Sequence, residues 1–202
     1  MNQEIEIEFK NMLTDKEFTQ LIQHFNLSPH SFFVQENEYF DTKSFDLKNQ
    51  QSALRIRKKG EQFTLTLKQP ATEGLLETHQ ALSLDEVNTF KIEHKLPSGN
   101  VTTVLQQMGV AIQELHSLGT LTTRRGELPY KNGLLVLDHS FYLNSEDFEL
   151  EYEVSEFKTG KTIFEALLKE HAIPKRQTKN KIVRFYERSQ IQSLNDENMR
   201  CL

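Results

Sequence analysis

The sequence is poor in cysteine, lacks tryptophan and has no long apolar run. Cys201 is the only cysteine, so the chain has no internal disulfide and no cysteine-based zinc site. No stretch approaches the roughly 20 apolar residues of a membrane helix, and the N-terminus begins with acidic residues instead of a secretion signal. We therefore expect a cytoplasmic protein that has no membrane partner.

An excess of positive charge is also absent, because 29 acidic residues outnumber 24 basic ones and the net charge is −5. Binding to a nucleic-acid backbone normally needs a basic surface, so we expect no nucleic-acid partner. The glycine-rich phosphate loops GxxxxGK[ST] and GxGxxG do not occur, so any bound phosphate must be held by side chains. The seven histidines lack HExxH spacing and no serine lies in a nucleophile elbow, which argues against two common classes of hydrolase site.

What the sequence does contain is a strict alternation of apolar and polar residues. The alternation begins at residues 4–10, EIEIEFK, and recurs in about eight segments, which is the pattern of half-buried strands in hairpin order. Capping boxes and helical spacing predict helices that begin near Thr14 and Ser83 and others over residues 98–109 and 162–173. The last segment, residues 179–194, is compatible with a terminal helix or with a strand that runs into one.

No repeat, low-complexity segment or linker interrupts the chain, so we expect one domain over residues 1–202. Strands in hairpin order with helices between them favour an antiparallel sheet over a parallel α/β arrangement. The predicted fold class is α+β, an eight-stranded antiparallel β-barrel that forms a tunnel with flanking helices. We expect a monomer or a homodimer.

The polar faces of the predicted strands carry charged residues of both signs and few neutral polar ones. They are Glu6, Glu8 and Lys10 in the first strand, followed by Arg55, Arg57, Lys68, Glu77, Arg124 or Arg125, Asp138, Glu149, Glu151 and Glu153. In one interpretation these faces are ordinary solvated surface. In the other, the sheet closes into a barrel, the charged faces line its interior, and the apolar faces point outward under the helices.

Buried charges must be paired or ligated, so a tunnel lined by both signs is suited to an oligophosphate and a divalent metal ion. Arg and Lys neutralise phosphate oxygens, whereas carboxylates hold Mg²⁺ or Mn²⁺, which prefer oxygen ligands. At the pair Arg124-Arg125, strand alternation favours an inward Arg124, whereas a β-bulge would favour Arg125.

In this order, the charged residues resemble the CYTH domain family, also called the triphosphate tunnel metalloenzymes. The segment Glu6-x-Glu8-x-Lys10 looks like the N-terminal ExExK signature of the family. Near the C-terminus, Lys181 and Arg184 match an SKxxR-type pattern, in which Asn180 replaces the serine. The resemblance runs roughly from residue 4 to residue 184, and the opening EIEIEFKNML is especially similar to small bacterial YjbK-type members.

The resemblance implies an eight-stranded antiparallel tunnel, triphosphate binding and activity with Mg²⁺ or Mn²⁺. The catalytic residues implied by it are Glu6, Glu8 and Lys10. The implied substrate-binding residues are Arg55, Arg57, Lys68, Glu77, Arg124, Arg125, Lys181 and Arg184. The implied metal ligands are Glu6, Glu8, Asp138, Glu149, Glu151 and Glu153.

Three functions are compatible with these residues. The first is metal-dependent hydrolysis of a triphosphate, either inorganic tripolyphosphate or a small organic triphosphate such as thiamine triphosphate. The second is a class IV-type adenylate cyclase that makes cyclic AMP and pyrophosphate, and the third is a non-catalytic module that binds oligophosphate or nucleotide. Because the chain has both the cations and the carboxylates, we expect the triphosphatase, while the preferred substrate and metal remain open.

Overall fold

The alternating segments form eight antiparallel strands that close into a barrel. A computed structural model describes residues 3–200, with the side chains of residues 3–191, so Cys201 lies outside the described residues. The strands are β1 (Gln3–Leu13), β2 (Phe32–Asp41), β3 (Ala53–Lys59), β4 (Gln62–Pro70), β5 (Leu75–Leu82), β6 (His116–Tyr130), β7 (Gly133–Tyr142) and β8 (Ser145–Val154). Their order around the barrel is β1-β5-β4-β3-β2-β6-β7-β8, which confirms the predicted fold class.

Within residues 3–200, six α-helices flank the strands. They are α1 (Asp15–His24), α2 (Asp46–Asn49), α3 (Leu84–Glu93), α4 (Asn100–Gln107), α5 (Phe157–Glu170) and α6 (Lys181–Arg200). Both predicted capping boxes are present, since the hydroxyls of Thr14 and Ser83 accept from backbone N–H groups and the backbones of these two residues donate to Glu17 and Glu86. None of the helices in the described part combines the length and the apolar character needed to cross a bilayer.

The open alternative at the C-terminal segment is settled as a helix, because residues from Lys181 onward form α6. The barrel and its helices account for residues 3–200, and residues 1, 2, 201 and 202 lie outside the described part. A single domain over residues 1–202 therefore stays a prediction.

Strand β1 closes the barrel because it pairs with two partners along its length. Its first residues pair with β5, where Glu6 lies opposite Leu75, and its later residues pair with β8, where Lys10 lies opposite Glu151. Gly74 lies at this junction with a φ of +73°, and a Cβ there would be 2.1 Å from the carbonyl oxygen of Glu6. Only glycine fits this position, so the close approach fixes β1 where its acidic residues enter the lumen.

The hydrophobic core lies outside the barrel. One cluster packs the outer face of β3, β4 and β5 against α3 and α4, and a second packs β1, β7 and β8 against α1 and α5. Leu65, Leu67, Leu135 and Leu137 in these outward faces have 0% exposure. Burial of each such leucine contributes about 1.5–3 kcal/mol to stability. The apolar residues of the strands are therefore buried between the barrel and the helices, and the barrel interior is left to the polar residues.

Helix α6 packs against one mouth of the barrel. Phe185 is 1% exposed and contacts Tyr39 and Leu121. Gly119 lies beneath the Phe185 ring with a φ of +128°, and a Cβ at this glycine would be 2.6 Å from the ring. The Tyr186 hydroxyl donates to a carboxylate oxygen of Asp41 at 3.1 Å. These contacts hold the first turn of α6, and therefore Lys181, at the lumen.

Candidate active site

The barrel encloses a cavity of about 750 Å³, a volume typical of small-molecule sites. The charged faces of the strands line it, as the inward interpretation of the alternation predicts. The residues of the predicted site that line the cavity are Glu6, Glu8, Lys10, Arg55, Arg57, Lys68, Glu77, Arg125, Glu151, Glu153 and Lys181. Asp138, Glu149 and Arg184 lie in the same charge network behind this lining.

Three buried carboxylates form a compact cluster on β7 and β8. Asp138 lies directly opposite Glu149 in the sheet, and Glu151 follows two residues later on the same face of β8. The three side chains are 0–5% exposed, and one oxygen atom from each lies within 4.8 Å of the others. Like charges this close repel one another, so the cluster requires cations.

The cations are supplied by α6 and β6. Lys181 Nζ lies 2.9 Å from Asp138, 2.6 Å from Glu149 and 2.5 Å from Glu151. Burial lowers the pKa of Lys181, but the three carboxylates outweigh that effect and hold the pKa well above its ordinary value. The ammonium group is therefore charged and shared by all three carboxylates.

Arg125 links the two strands of the cluster, because it donates hydrogen bonds to Asp138 on β7 and to Glu151 on β8. Its Nε and Nη2 donate to the two oxygens of Asp138 at 2.8 and 2.6 Å, and Nη2 also donates to Glu151 at 2.8 Å. Arg184 pairs with Glu149 at 2.9 Å and with Asp147 at 2.9 Å. Both guanidinium groups pair with carboxylates of the cluster, so they orient it.

The cluster fits a divalent cation that prefers oxygen ligands. Its donors are carboxylate oxygens, which suit hard ions such as Mg²⁺ and Mn²⁺. One ammonium nitrogen already contacts all three side chains, so their oxygens converge on a single cation position. Among the described residues, Glu6, Glu8 and Glu153 line the cavity without belonging to this three-carboxylate group.

Glu6 and Glu8 of β1 are paired with lysines. Glu6 accepts from Lys68 at 2.6 Å, and Glu8 accepts from Lys10 at 2.5 Å. Lys10 Nζ also donates to Asn180 at 3.2 Å, so the asparagine in the SKxxR-like segment contacts the ExExK-like segment. The two ends of the family pattern therefore meet in the lumen.

The opposite wall, on β3, β4 and β5, is basic. Lys68 forms ion pairs with both Glu6 and Glu77, and Arg55 lies 4.0 Å from Glu77. Although burial raises the pKa of Glu77, Arg55 and Lys68 lower it more strongly, to about 2. Glu77 is therefore ionised and holds the two cations in place.

Arg57 is the cation on this wall that lacks an acidic partner. Its Nε donates to the side-chain oxygen of Asn37 at 3.0 Å, and within the described part of the chain it forms no ion pair. Burial and the neighbouring charges of Arg55 and Arg125 lower its pKa to about 9. The Nε of Arg55 is also buried without a hydrogen-bond partner among the described residues. An anion bound here would satisfy both guanidinium groups.

Glu153 is a carboxylate of the cavity lining whose pKa lies near neutral pH. Burial raises its pKa to about 7, and Glu151, Glu6 and Glu8 act in the same direction while Arg125 opposes them. The side chain is 32% exposed and lies 3.9 Å from Arg125. It therefore exchanges a proton within the physiological range.

Strand alternation predicts that Arg124 faces inward, and this prediction is wrong. Arg124 is exposed and its guanidinium lies over the Phe32 ring, 4.7 Å from the centroid. The pairing of β2 with β6 shifts register between Tyr39 and Phe40, because Leu118 is left between their partners. This bulge reverses the alternation downstream, so Arg125 takes the inward position, which is the alternative that the sequence left open.

Asn37 and His79 are among the polar residues of the lining that the charge pattern of the sequence does not include. Asn37 lies on β2 and positions Arg57. His79 follows Glu77 by two residues and lies on the same face of β5. Its Nδ1 is hydrogen-bonded to the Thr66 hydroxyl at 3.1 Å, and its Nε2 lies 3.4 Å from a carboxylate oxygen of Glu77. Strand alternation alone places His79 inward, whereas a neutral asparagine gives no comparable signal.

The closed antiparallel barrel, with an acidic cluster and a basic wall facing one lumen, defines a tunnel protein that binds charged ligands internally. The CYTH domain model matches residues 4–186. The chain belongs to the CYTH domain family. A Bacillus subtilis protein named "Putative triphosphatase YjbK" is 48% identical over 188 residues, which are 93% of this chain and 97% of that protein.

Two solved structures extend the comparison. A Bacillus halodurans protein, described as a putative adenylate cyclase, is 43% identical, with a TM-score of 0.89 over 92% of this chain and 100% of that chain. HpAC1 from Hippeastrum is described as a putative adenylyl cyclase with a dominant triphosphatase activity. It is 25% identical, with a TM-score of 0.76 over 91% of this chain and 96% of that one. Similarity to each spans nearly the whole barrel.

Proposed function

We propose that this chain is a metal-dependent triphosphatase that hydrolyses a small triphosphate inside its tunnel. The observation that carries the proposal is the basic wall with an unpaired Arg57, which shares one cavity with Glu151, the member of the three-carboxylate cluster that reaches the lining. The 48% identity to a protein named as a triphosphatase, and the description of HpAC1, support the same activity.

The basic wall is suited to hold the phosphate chain. Arg57 has no acidic partner to give up within the described part of the chain, so it can bind a phosphate oxygen without breaking an ion pair. Arg55 has an unused Nε beside it. Lys68 is shared between Glu6 and Glu77 and can turn toward a phosphate while Glu77 stays ionised. Phosphoryl transfer depends mainly on such positioning and charge neutralisation.

Asp138, Glu149 and Glu151 would hold the metal ion, for which we propose Mg²⁺ or Mn²⁺. An ion bound there would neutralise charge on the transferred phosphoryl group and lower the pKa of a bound water. Lys181 now contacts the same oxygens, so its ammonium has to move away from them and is then free to contact the phosphate. Arg125 and Arg184 keep the carboxylates oriented during this exchange. We assign Glu6, Glu8 and Lys10 to the same reaction as proposed catalytic residues.

The lining favours an inorganic substrate. The phenol rings that line the cavity are those of Tyr39 and Tyr186. Tyr39 packs on Phe185, and Tyr186 is hydrogen-bonded to Asp41. The Tyr186 ring also lies beneath Lys48 Nζ, 4.9 Å from its centroid, and contacts the edge of Phe45. Both rings are therefore engaged with other side chains, unlike the stacking platforms that bind bases, so we propose tripolyphosphate as the substrate, with phosphate and pyrophosphate as products.

The test is product analysis by phosphorus NMR, with tripolyphosphate, ATP or thiamine triphosphate in Mg²⁺, Mn²⁺ or EDTA. We expect phosphate and pyrophosphate from tripolyphosphate, no turnover in EDTA, and loss of turnover in Glu149→Gln with the fold retained. Glu8→Gln tests the contribution of β1 separately, and Arg124→Gln is the control outside the lumen. Cyclic AMP and pyrophosphate from ATP would assign a cyclase, and tight binding without turnover would assign a binding module.

A further inference from the structure

Outside the tunnel, a group of residues with metal-binding side chains lies where helices α1 and α5 end. His24 is the last residue of α1, Glu170 is the last residue of α5, and His171 follows as the capping residue. One ring nitrogen from each histidine and one carboxylate oxygen of Glu170 lie within 4.8 Å of one another. None of these three described residues lines the tunnel cavity, so the group is separate from the candidate active site.

His171 has an unused polar atom in this group. The residue is 7% exposed, and its Nε2 is buried without a hydrogen-bond partner among the described residues. The ring is held by its neighbours, since its centroid lies 4.4 Å from that of His24 at an interplanar angle of 79° and 6.2 Å from that of Phe25. Buried polar atoms in folded proteins nearly always have partners, so the free nitrogen calls for a ligand.

The surroundings of the group favour a cation. Two helices, of 10 and 14 residues, end here, and the C-terminal end of a helix carries a partial negative charge. Glu170 adds a carboxylate at the same place. The two histidines add no charge when neutral, and the neutral imidazole is the form that binds metals. The group itself therefore carries a net negative charge, which favours a cation.

The donor set differs from that of the tunnel. Two imidazole nitrogens and one carboxylate are typical ligands of zinc and other borderline divalent ions, whereas the tunnel cluster offers oxygen atoms alone. Zinc bonds of about 2.0–2.2 Å require donors closer together than the present limit of 4.8 Å. His24 and Glu170 are exposed, so rotation of their side chains toward the buried His171 can close the gap.

We propose that His24, Glu170 and His171 form a surface site for zinc or a similar borderline divalent ion. Such an ion links the end of α1 to the end of α5, and three protein ligands leave a fourth position for water. The inference goes beyond the proposed triphosphatase and does not depend on it.

The test is calorimetric titration of the full chain with Zn²⁺ in the presence of excess Mg²⁺, which competes for sites made of oxygen ligands alone. We expect one bound Zn²⁺ per chain and an affinity more than about tenfold weaker in His24→Ala and in Glu170→Gln. Both positions are exposed, so these variants keep the fold. His30→Ala, which removes another exposed histidine, is the matched control and should bind as the unmodified chain does.

A second measurement separates this site from the tunnel. Zn²⁺ should raise the urea midpoint of the unmodified chain and of Glu149→Gln, and should raise it much less in His24→Ala. Binding that is unchanged in His24→Ala and Glu170→Gln, or that is lost only in Glu149→Gln, would overturn the proposal.

Discussion

Replacement of Lys181 by methionine tests whether its ammonium shares a position with the metal ion. The side chain is 11% exposed and contacts three carboxylates at 2.5–2.9 Å. Removal of one partner from a buried ion pair costs about 3–5 kcal/mol, because the remaining charge is left uncompensated. We expect Lys181→Met to lose free energy of unfolding in that range when EDTA is present.

Addition of Mg²⁺ should reverse most of this loss, because the ion replaces the missing positive charge. At one hundred times its dissociation constant, a ligand adds about 2.7 kcal/mol to stability. The assay is urea unfolding of Lys181→Met and of the unmodified chain, each in EDTA and in a Mg²⁺ series. We also expect Mg²⁺ to bind the variant more tightly, since no ammonium competes for the carboxylates.

Lys10→Met provides the control. Lys10 is also largely buried, but it pairs with one carboxylate, Glu8, and it lies outside the three-carboxylate group. Its loss should destabilise the chain less and should leave the effect of Mg²⁺ unchanged. Equal stabilisation of Lys181→Met and the unmodified chain by Mg²⁺ would refute the shared position, as would an unchanged stability of Lys181→Met in EDTA.

Three further predictions concern Arg57, Glu153 and Gly119. Arg57→Gln should raise the KM for tripolyphosphate about 10–100-fold, the equivalent of one charge-assisted hydrogen bond, while Arg124→Gln leaves it unchanged in the same kinetic assay. Because burial raises the pKa of Glu153 from an ordinary 4.5 to about 7, the folded chain binds the proton more tightly and loses stability as pH rises between these values. In urea with EDTA, Glu153→Gln should therefore be about 1–3 kcal/mol more stable than the unmodified chain at pH 8 and equal to it at pH 4. Glu127→Gln, which removes another carboxylate 3.9 Å from Arg125, is the matched control. Gly119→Ala should place a Cβ against Phe185 and expose the start of α6 to proteases, and an unchanged cleavage rate would show that the glycine is not required.

The fold could be predicted because the chain contains two hydrophobic periods, one of two residues in the strands and one of about 3.6 residues in the helices. Alternation along β4 separates Leu65 and Leu67, which are buried under helices, from Lys68, which lines the lumen. Since a barrel with charged residues on one face of nearly every strand exposes apolar residues on the other face unless helices cover them, the helices and the tunnel follow from the same pattern.

The site could be predicted less completely, because its details depend on packing between distant segments. The inward choice between Arg124 and Arg125 depends on a bulge at Leu118, which is set by the pairing of β2 with β6. The contact of Lys181 with the carboxylate cluster depends on how Phe185 seats on Gly119. Both features depend on contacts between segments that are far apart in the sequence, so no local pattern of residues predicts them.

The pairing of β1 with β8 has a consequence for how the chain becomes functional during its synthesis. The strand that carries the ExExK-like residues is made before the other strands of the barrel, and its partner, which carries Glu149 and Glu151, is made after them. A long-range pairing of this kind forms slowly, since a large loop must close before the contacts form. We therefore expect a growing polypeptide to bind a triphosphate only after β8 and the start of α6 have emerged.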